Sequence, residues 1–537
     1  MKPDCKNLAL LCAGTLSGAL TVTAAQADRE NGEAPRKPNV IFFLVDDMSW
    51  SDAGCYGSTF HETPNIDRLA REGVRFTNAY AACHVSSPTR ASIMTGRYPA
   101  SIGLTDFLKG RKNFPFQPLL NVKTRQELPP GEPTIAQTLR DNGYKTAIVG
   151  KWHLGTGEYN PTAYGFDKHI PYGYNVGWPQ VYYAPFKLNG YDGEPGEYLT
   201  DRMTREAVDY IEENKDRPFF LYLSHFAVHD PIQGRKDLVE KYRKKLARMP
   251  EYQGEPYILE GNPDDPAPLS RHQLDSLLHT PDFENHYEVL PRRTVKIKQW
   301  QDNVQFAAMV EAMDESLGVI RAKLDELGLA ENTIIVFYSD NGGMGGANLG
   351  RPDRIIPPDR LDEYFSTSNL PLRGAKGWLY EGGIRVPMIV YYPGVTKKGA
   401  LCDEPVISND FYYTIADMVS ARIPESKVHE GVSLMPLLKG KKKIADRALY
   451  WHFPHYSNHG MQSPGGAIRY GDYKLIEYFE NGTVQLFNLK KDLAEQHDLS
   501  RSEPERAERL RQMLHEWRKS VGAASMTPNP NYTGPMK

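Results

Sequence analysis

Residues 39–45, Asn-Val-Ile-Phe-Phe-Leu-Val, are apolar almost without interruption and rich in β-branched and aromatic side chains. A strand with one wet face alternates polar and apolar residues; a continuous run marks a strand buried on both faces, as in a parallel sheet. Further strands are predicted at 145–149, stopped by Gly150, at 219–223 and at 333–338. Helical spacing fills the intervals. Over 63–73, Thr63 stands as N-cap, Pro64 takes the first helical position, Leu69 and Ala70 point inward and Gly73 ends the helix. Residues 134–142 place Ile135, Ala136 and Leu139 on one face before Gly143, and 203–214 form another helix. Residues 303–328 follow helical spacing through Val304, Ala308, Glu311, Ala312 and Leu317. Alternating helices and buried strands predict an α/β fold, a large, mostly parallel sheet with helices on both faces.

Beyond about residue 440 the pattern changes. Residues 473–478 and 483–489 flank Asn481-Gly482, a type I′ hairpin signal. Ser502 and Glu505 have capping-box spacing ahead of a helix with Ala507, Leu510, Leu514 and Trp517 on one face. This predicts a smaller C-terminal antiparallel subdomain over 441–537, after a catalytic domain over 38–440. Within the latter, the polar, Pro-rich stretch carrying His272, His279 and His286 reads as part of an insertion at 235–300. No internal repeat is visible.

The first 27 residues read as a secretory signal peptide. Lys2 and Lys6 precede an apolar stretch at 8–22, and Ala25-Gln26-Ala27 is an A-x-A cleavage site before Asp28. The stretch is shorter than the ~20 residues of a spanning helix, and Leu10-Leu11 before Cys12 is not a lipidation pattern. Residues 28–37 are a polar linker. No later segment reads as a membrane span, so the expected product is exported, to the periplasm or beyond.

Composition narrows the function. The 537 residues carry 64 Lys+Arg against 67 Asp+Glu, a net charge of −3; nucleic-acid binding needs a basic excess, so it is not the expected role. Hydrophobic residues at 40% and charged residues at 24% describe a folded chain. After removal of the leader only Cys55, Cys83 and Cys402 remain, too few for a disulfide scaffold and without zinc-site spacing.

In a parallel sheet, ligands bind at the carboxyl ends of the strands. Here those ends carry Asp46-Asp47, Lys151 and His153, His225 and His229, and Asp340-Asn341. Three carboxylates and an amide are hard oxygen ligands, suited to Ca²⁺ or Mg²⁺. Adjacent strand residues point to opposite faces, so Asp46 and Asp47 converge only if the chain bends there.

Residues 85–99 hold Ser86-Ser87-Pro88-Thr89-Arg90 and then Thr95-Gly96-Arg97. This stretch resembles the type I sulfatase signature, C/S-x-P-x-R followed by T-G-R. Further blocks resemble that family in its order: residues 39–47; Gly150-Lys-Trp-His-Leu-Gly155; His229-Asp-Pro-Ile232; Asp340-Asn341-Gly342; and Leu372-Arg-Gly-Ala-Lys376 continuing to Glu381-Gly-Gly-Ile-Arg-Val-Pro387. The resemblance implies an alkaline-phosphatase-like fold and a sulfuric ester hydrolase. It implies that Ser86 is oxidised to Cα-formylglycine by a serine-type maturing enzyme before or during export. It further implies that Asp46, Asp47, Asp340 and Asn341, with the residue-86 oxygen, hold one Ca²⁺. Arg90 and Lys151 would hold the formylglycine and sulfate, and Lys376 would grip sulfate oxygens. His153 would be the base at the second hydroxyl, and His229 the acid toward the leaving alcohol. The expected substrate is a sulfated carbohydrate.

The competing expectation is a phosphatase or phosphodiesterase of the related superfamily, which carries an Asp-His pair where this chain has Asp340-Asn341. If Ser86 stayed unmodified, a sulfated-glycan binder would remain. Specificity is expected from residues 104–125, 170–200 and 235–300. His225 reads as structural, while His452 and His455 lie where the small subdomain could meet the pocket.

Overall fold

The computed structural model describes residues 36–171, 177–188, 190–284, 294–348, 356–459 and 462–534. The expected leader, most of the linker and His286 lie outside them. The elements that build the site are, in chain order, β1 (Asn39–Val45), α1 (Pro64–Glu72), β2 (Val74–Phe76), α2 (Ser86–Thr95), α3 (Ile135–Asp141), β3 (Lys145–Gly150), β4 (Lys168–Ile170), α4 (Leu199–Glu213), β5 (Phe219–Ser224), α5 (Lys236–Leu246), α6 (Val304–Glu326), β6 (Thr333–Ser339), β7 (Met388–Tyr391), β8 (Ala400–Cys402) and α7 (Asp410–Met418). They are followed by β9 (Ala448–Phe453), β10 (Gly465–Tyr470), β11 (Tyr473–Tyr478), β12 (Val484–Asn488) and α8 (Pro504–Ser520).

Eight strands form one mixed sheet in the order β8-β2-β7-β6-β1-β5-β3-β4. Five of its seven pairings are parallel, and only those of β7 with β6 and β2 are antiparallel. Every residue of β1 is buried, because successive side chains enter two separate cores. Ile41, Phe43 and Val45 pack with α1, α4, α5 and α6 through Leu69, Met203, Tyr242 and Met309. Val40, Phe42 and Leu44 pack with α2, α3 and α7 through Ile93, Leu139 and Phe411. Burial on both faces therefore explains the unbroken apolar runs.

The smaller sheet is antiparallel throughout, in the order β9-β10-β11-β12. Ile468, Leu475 and Leu486 on it meet Ala507, Leu510 and Leu514 of α8. A buried ionic knot joins this sheet to the segment that carries Lys376. Lys474 Nζ donates to Glu381 Oε1 at 3.0 Å and Glu495 Oε1 at 2.8 Å. Glu381 Oε2 accepts from Tyr80 at 2.6 Å and Arg385 at 3.3 Å. Arg373 grips Glu260 through Nε at 3.1 Å and a terminal nitrogen at 2.6 Å.

Three local expectations are corrected. The hairpin turn is not type I′: Tyr478 pairs with Thr483 across four residues, and only Gly482, not Asn481, has positive φ. The backbone N–H of Asn481 instead donates to the buried Asp264 carboxylate at 3.2 Å. No capping box opens α8, because Pro504 sets the first turn one residue later and Ser502 donates to Leu499 O at 3.2 Å. Thr63 precedes α1 but caps nothing; the Asp314 carboxylate takes the free N–H groups of Asn65 and Ile66, at 3.1 and 2.8 Å. Among the described residues no helix is long and apolar enough to cross a membrane.

Candidate active site

Because β1, β3, β5 and β6 run parallel, their carboxyl ends open on one side of the sheet. Asp46-Asp47 follow β1, Lys151 and His153 follow β3, and Asp340-Asn341 follow β6. Asp47 has φ +62, the left-handed conformation that Asp tolerates better than most residues. That bend breaks the strand alternation and brings Asp46 and Asp47 together: one oxygen of each and a nitrogen of His229 lie within 4.8 Å of one another. Gly150, φ +108, makes the corresponding turn after β3, where a Cβ would fall 2.0 Å from Ser224 O.

Ser86 is the first residue of α2, every residue of which is buried. The positive end of a helix favours negative charge at this position. Arg90 lies one turn on, on the same helix face. Its Nε and one terminal nitrogen both reach Asp340 Oδ2 at 2.9 Å, and its other terminal nitrogen donates to Ser224 Oγ at 2.5 Å. Ser86 Oγ stands 3.2 Å from Asp46 Oδ1 and 3.4 Å from Asn341 Oδ1. Lys151 Nζ donates to Ser86 Oγ at 3.1 Å and to Asp46 Oδ2 at 2.6 Å. Lys376 Nζ donates to Asp47 Oδ2 at 2.7 Å, and Asn341 Nδ2 to Asp47 Oδ1 at 2.7 Å. Of the residues singled out at the strand ends and in the sequence blocks, ten gather around one pocket, with His153 and His229 beside Lys151 and Asp47 and His225 outside it.

Charge explains how this arrangement persists in the interior. Asp46, Asp47 and Asp340 oppose Arg90, Lys151 and Lys376, so the six groups balance. Burial pushes the Asp46 carboxyl up, but Lys151, His229 and Arg90 outweigh it and hold it below the ordinary value. Burial pushes Lys151 down, more than Asp46 restores. Lys376 is raised despite burial, because Asp47 and Asp46 face it. Oxygens of Asp46 and Asn341 lie beside Ser86 Oγ, and Asp47 and Asp340 adjoin them, Asp340 Oδ1 accepting from the Asp47 backbone N–H at 3.2 Å; these hard oxygens fit a divalent oxygen-seeking cation. Its two positive charges would offset the two negative charges of a sulfate monoester and an ionised nucleophile.

The two histidines occupy different settings. His153, φ +57, contacts Leu108 O through Nε2 at 3.1 Å, while its buried Nδ1 has no hydrogen-bond partner. Burial and Lys151 push it well below its usual value, so Nδ1 holds a lone pair for a proton. His229 has Nε2 3.6 Å from Asp47 Oδ2, and its Nδ1 hydrogen-bonds Asp230 O at 2.9 Å with Asp230 Oδ1 close by at 2.6 Å. Burial and Lys376 push His229 down, but Asp47 and Asp230 overcome them and raise it, favouring the protonated form.

Sequence reasoning missed Asp230 and Ser224. Asp230 lies inside a block already quoted, and Ser224 ends β5 pointing at Arg90. Two expected specificity loops do reach the site: 104–125 through Leu108 O, and 170–200 through Gly177, which lies against the His153 ring. His225 belongs to the core, with Nε2 3.1 Å from Ser316 Oγ and its ring on Phe43. His452 and His455 are committed to Ala524 O and Thr105 Oγ1, both at 2.8 Å. The histidine of this region that neighbours the site is His459.

The sulfatase family profile matches residues 38–421, and that of the N-sulphoglucosamine sulphohydrolase C-terminal region matches 375–520. The chain belongs to the sulfatase family. A relative named sulfatase, from Formosa agariphila, is 29% identical over 91% of this chain and 89% of its own length. The N-acetylgalactosamine-6-sulfatase of Canis lupus familiaris is 28% identical, over 78% of this chain and 69% of the relative. The crystal structure of Ps i-CgsB with k-i-k-neocarrahexaose is similar with TM-score 0.67 and 27% identity, over 90% of this chain and 93% of that one. As a sulfatase, the chain is a sulfuric ester hydrolase, and the alkaline-phosphatase-like architecture is the one expected.

Proposed function

We propose that this sulfatase removes sulfate from O-sulfated carbohydrate, using Ca²⁺ and a formylglycine made from Ser86 by a serine-type maturing enzyme, in an exported protein. The observation that carries the reading is the position of Ser86 Oγ. It lies among the oxygens of Asp46 and Asn341 and under Lys151, at the start of a buried helix. Carbohydrate is supported by the relatives named for N-acetylgalactosamine 6-sulfate and by the structure with neocarrahexaose. Export is supported by the signal-peptide pattern at 1–27.

Asp46, Asp47, Asp340 and Asn341 would hold the calcium, which when bound supplies Lewis-acid stabilisation of charge on oxygen. Formylglycine supplies a hydrated aldehyde, with one hydroxyl to attack sulfur and a second whose deprotonation expels sulfate. Arg90 and Lys151 orient that residue and offset its charge. Lys376 and Lys151 hold the sulfate oxygens in a dry, preorganised field, where such contacts are strongest. His229 gives the departing alcohol a proton from Nε2, and Asp230 fixes the ring through Nδ1. His153 takes the proton of the second hydroxyl on Nδ1.

The test is sulfate release by enzyme co-expressed with a serine-type maturing enzyme, across sulfated mono- and disaccharides and 4-nitrophenyl phosphate. Sulfate release from at least one sugar, with phosphate turnover far lower, is expected. Preferential phosphate release would overturn the reading.

A further inference from the structure

Two imidazoles beside the sulfate-binding lysine have no use in the chemistry above. His459, 5% exposed, and His84, fully buried, make no hydrogen bond through either ring nitrogen among the described residues. Buried polar groups are nearly always paired, so such exceptions at a site call for a ligand. The contrast with other buried histidines is direct: His61, His225, His452 and His455 each have a partner. His169 also lacks one, but it sits on edge strand β4, whereas His84 lies two residues before Ser86 and next to His459.

The charged and titratable neighbours of His459 are Lys376, Asp230, His229 and His84. Gly377, next to Lys376, packs so closely on His459 that an added Cβ would fall 2.4 Å from its Cβ and its carbonyl oxygen. His84 lies two residues before Ser86, with its ring 4.1 Å from that of Phe453. His459 therefore stands beside His229, on the side where the proposed reaction releases the alcohol, and His84 stands next to His459. Burial and Lys376 push His459 well below its usual value. A neutral imidazole offers one donor and one acceptor. A hydroxyl has the same pair in complement, whereas a carboxylate or sulfate only accepts.

We propose that His459, with His84 behind it, is a specificity determinant that hydrogen-bonds ring hydroxyls of the sugar carrying the scissile sulfate. This rests on the carbohydrate reading above and adds which residues recognise the sugar.

The experiment combines protein and substrate changes in one cycle, on matured enzyme. Wild type, His459→Ala and His459→Asn are assayed on 4-nitrophenyl sulfate and on galactose 6-sulfate, N-acetylgalactosamine 6-sulfate and glucosamine 6-sulfate. Singly deoxygenated analogues of the best sugar complete the set. His459→Ala should lower kcat/KM for the sugar about tenfold more than for the aryl sulfate. His459→Asn, which keeps a donor and an acceptor, should recover part of that loss. Removal of one particular hydroxyl should cost wild type about tenfold and the alanine variant almost nothing further. Equal losses on aryl and sugar sulfates, or a deoxygenation penalty undiminished in both variants, would overturn the assignment. Should His459→Ala fail to fold, His459→Phe, which fills the space without a donor or an acceptor, takes its place with the same expected and overturning results. Wild type active on 4-nitrophenyl sulfate but on no sugar would overturn the carbohydrate reading and this inference together, leaving the sulfatase chemistry intact.

Discussion

His229 and Asp230 are neighbours in sequence and partners in space: Nδ1 of one lies 2.6 Å from Oδ1 of the other, leaving Nε2 toward Asp47. That orientation suits a proton donor on the leaving-group side. A sugar alkoxide is a poor leaving group and an aryl oxide a good one. His229→Ala should therefore cut turnover of a sulfated sugar about 10²–10⁴-fold, and of 4-nitrophenyl sulfate far less. His153→Ala should harm both substrates alike, since expelling sulfate is common to them. Equal losses in His229→Ala would place the acid elsewhere.

Ser86 hydroxyl chemistry alone ends at a sulfated serine. Peptide mass spectrometry of active enzyme should find residue 86 two hydrogens lighter than serine. Full activity in a preparation with unmodified Ser86 would sink the aldehyde mechanism.

Asp340 accepts from Arg90 and closes the donor set beside Asn341. Asp340→Ala should lose calcium and activity together, read by elemental analysis and sulfate release, while far-ultraviolet circular dichroism stays native. Two zinc ions per chain in the wild type would support a phosphatase instead.

Lys474 is buried between Glu381 and Glu495. Removing one partner of a buried ion pair strands the other charge, at a cost of about 3–5 kcal/mol. Lys474→Met should lower Tm sharply although it touches no atom of the pocket. An unchanged Tm would show that the knot does not support the fold.

Buried titratable groups make stability depend on pH between 5 and 7, in opposing directions. His61, His169 and His452 are pushed by burial to about 4, and His84, His225 and His455 to about 3. His153 and His459 also lie well below their usual value. A histidine depressed in the fold contributes stability that is present above its unfolded value and is lost as pH falls, because the unfolded chain takes the proton first. Other groups work the other way: Asp52, Asp106, Asp314 and Glu495 are raised by burial to about 7 and Asp264 to about 6, Asp201 and Asp362 are raised by burial, and His229 is raised by Asp47 and Asp230. Their stability is present at low pH and is lost as pH rises. The two sets oppose each other, and each unbalanced proton tilts stability by about 1.4 kcal/mol per pH unit. His225→Gln removes one depressed histidine, so between pH 7 and pH 5 its Tm should fall less, or rise more, than that of the wild type. An identical pH dependence of Tm in the two proteins would refute this role of His225.

The strands of the large sheet were legible because burial on both faces leaves 40–45 wholly apolar and 334–338 apolar but for the Tyr338 hydroxyl. The pocket was legible because parallel strand ends carry its groups in short sequence blocks. Three features were not. Asp314 caps a helix some 250 residues away in sequence, a contact no local pattern encodes. The turn around Asn481 is shaped by Asp264 from a distant segment, which overrides the local Asn-Gly preference. His459 gains its meaning only from Lys376, Asp230 and His229 around it.

The burial of α2 also constrains events in time. Ser86 is only 3% exposed in the finished fold, walled in on one side by Asn341 from far along the chain. A modifying enzyme could not reach it there. At roughly 5–20 residues per second, the ribosome needs some tens of seconds to travel from Ser86 to Asp340. During that interval β1 has no β6 to pair with and the pocket cannot close. Oxidation of Ser86, as proposed above, would therefore compete with completion of the sheet, and a chain that folded first would be trapped as serine.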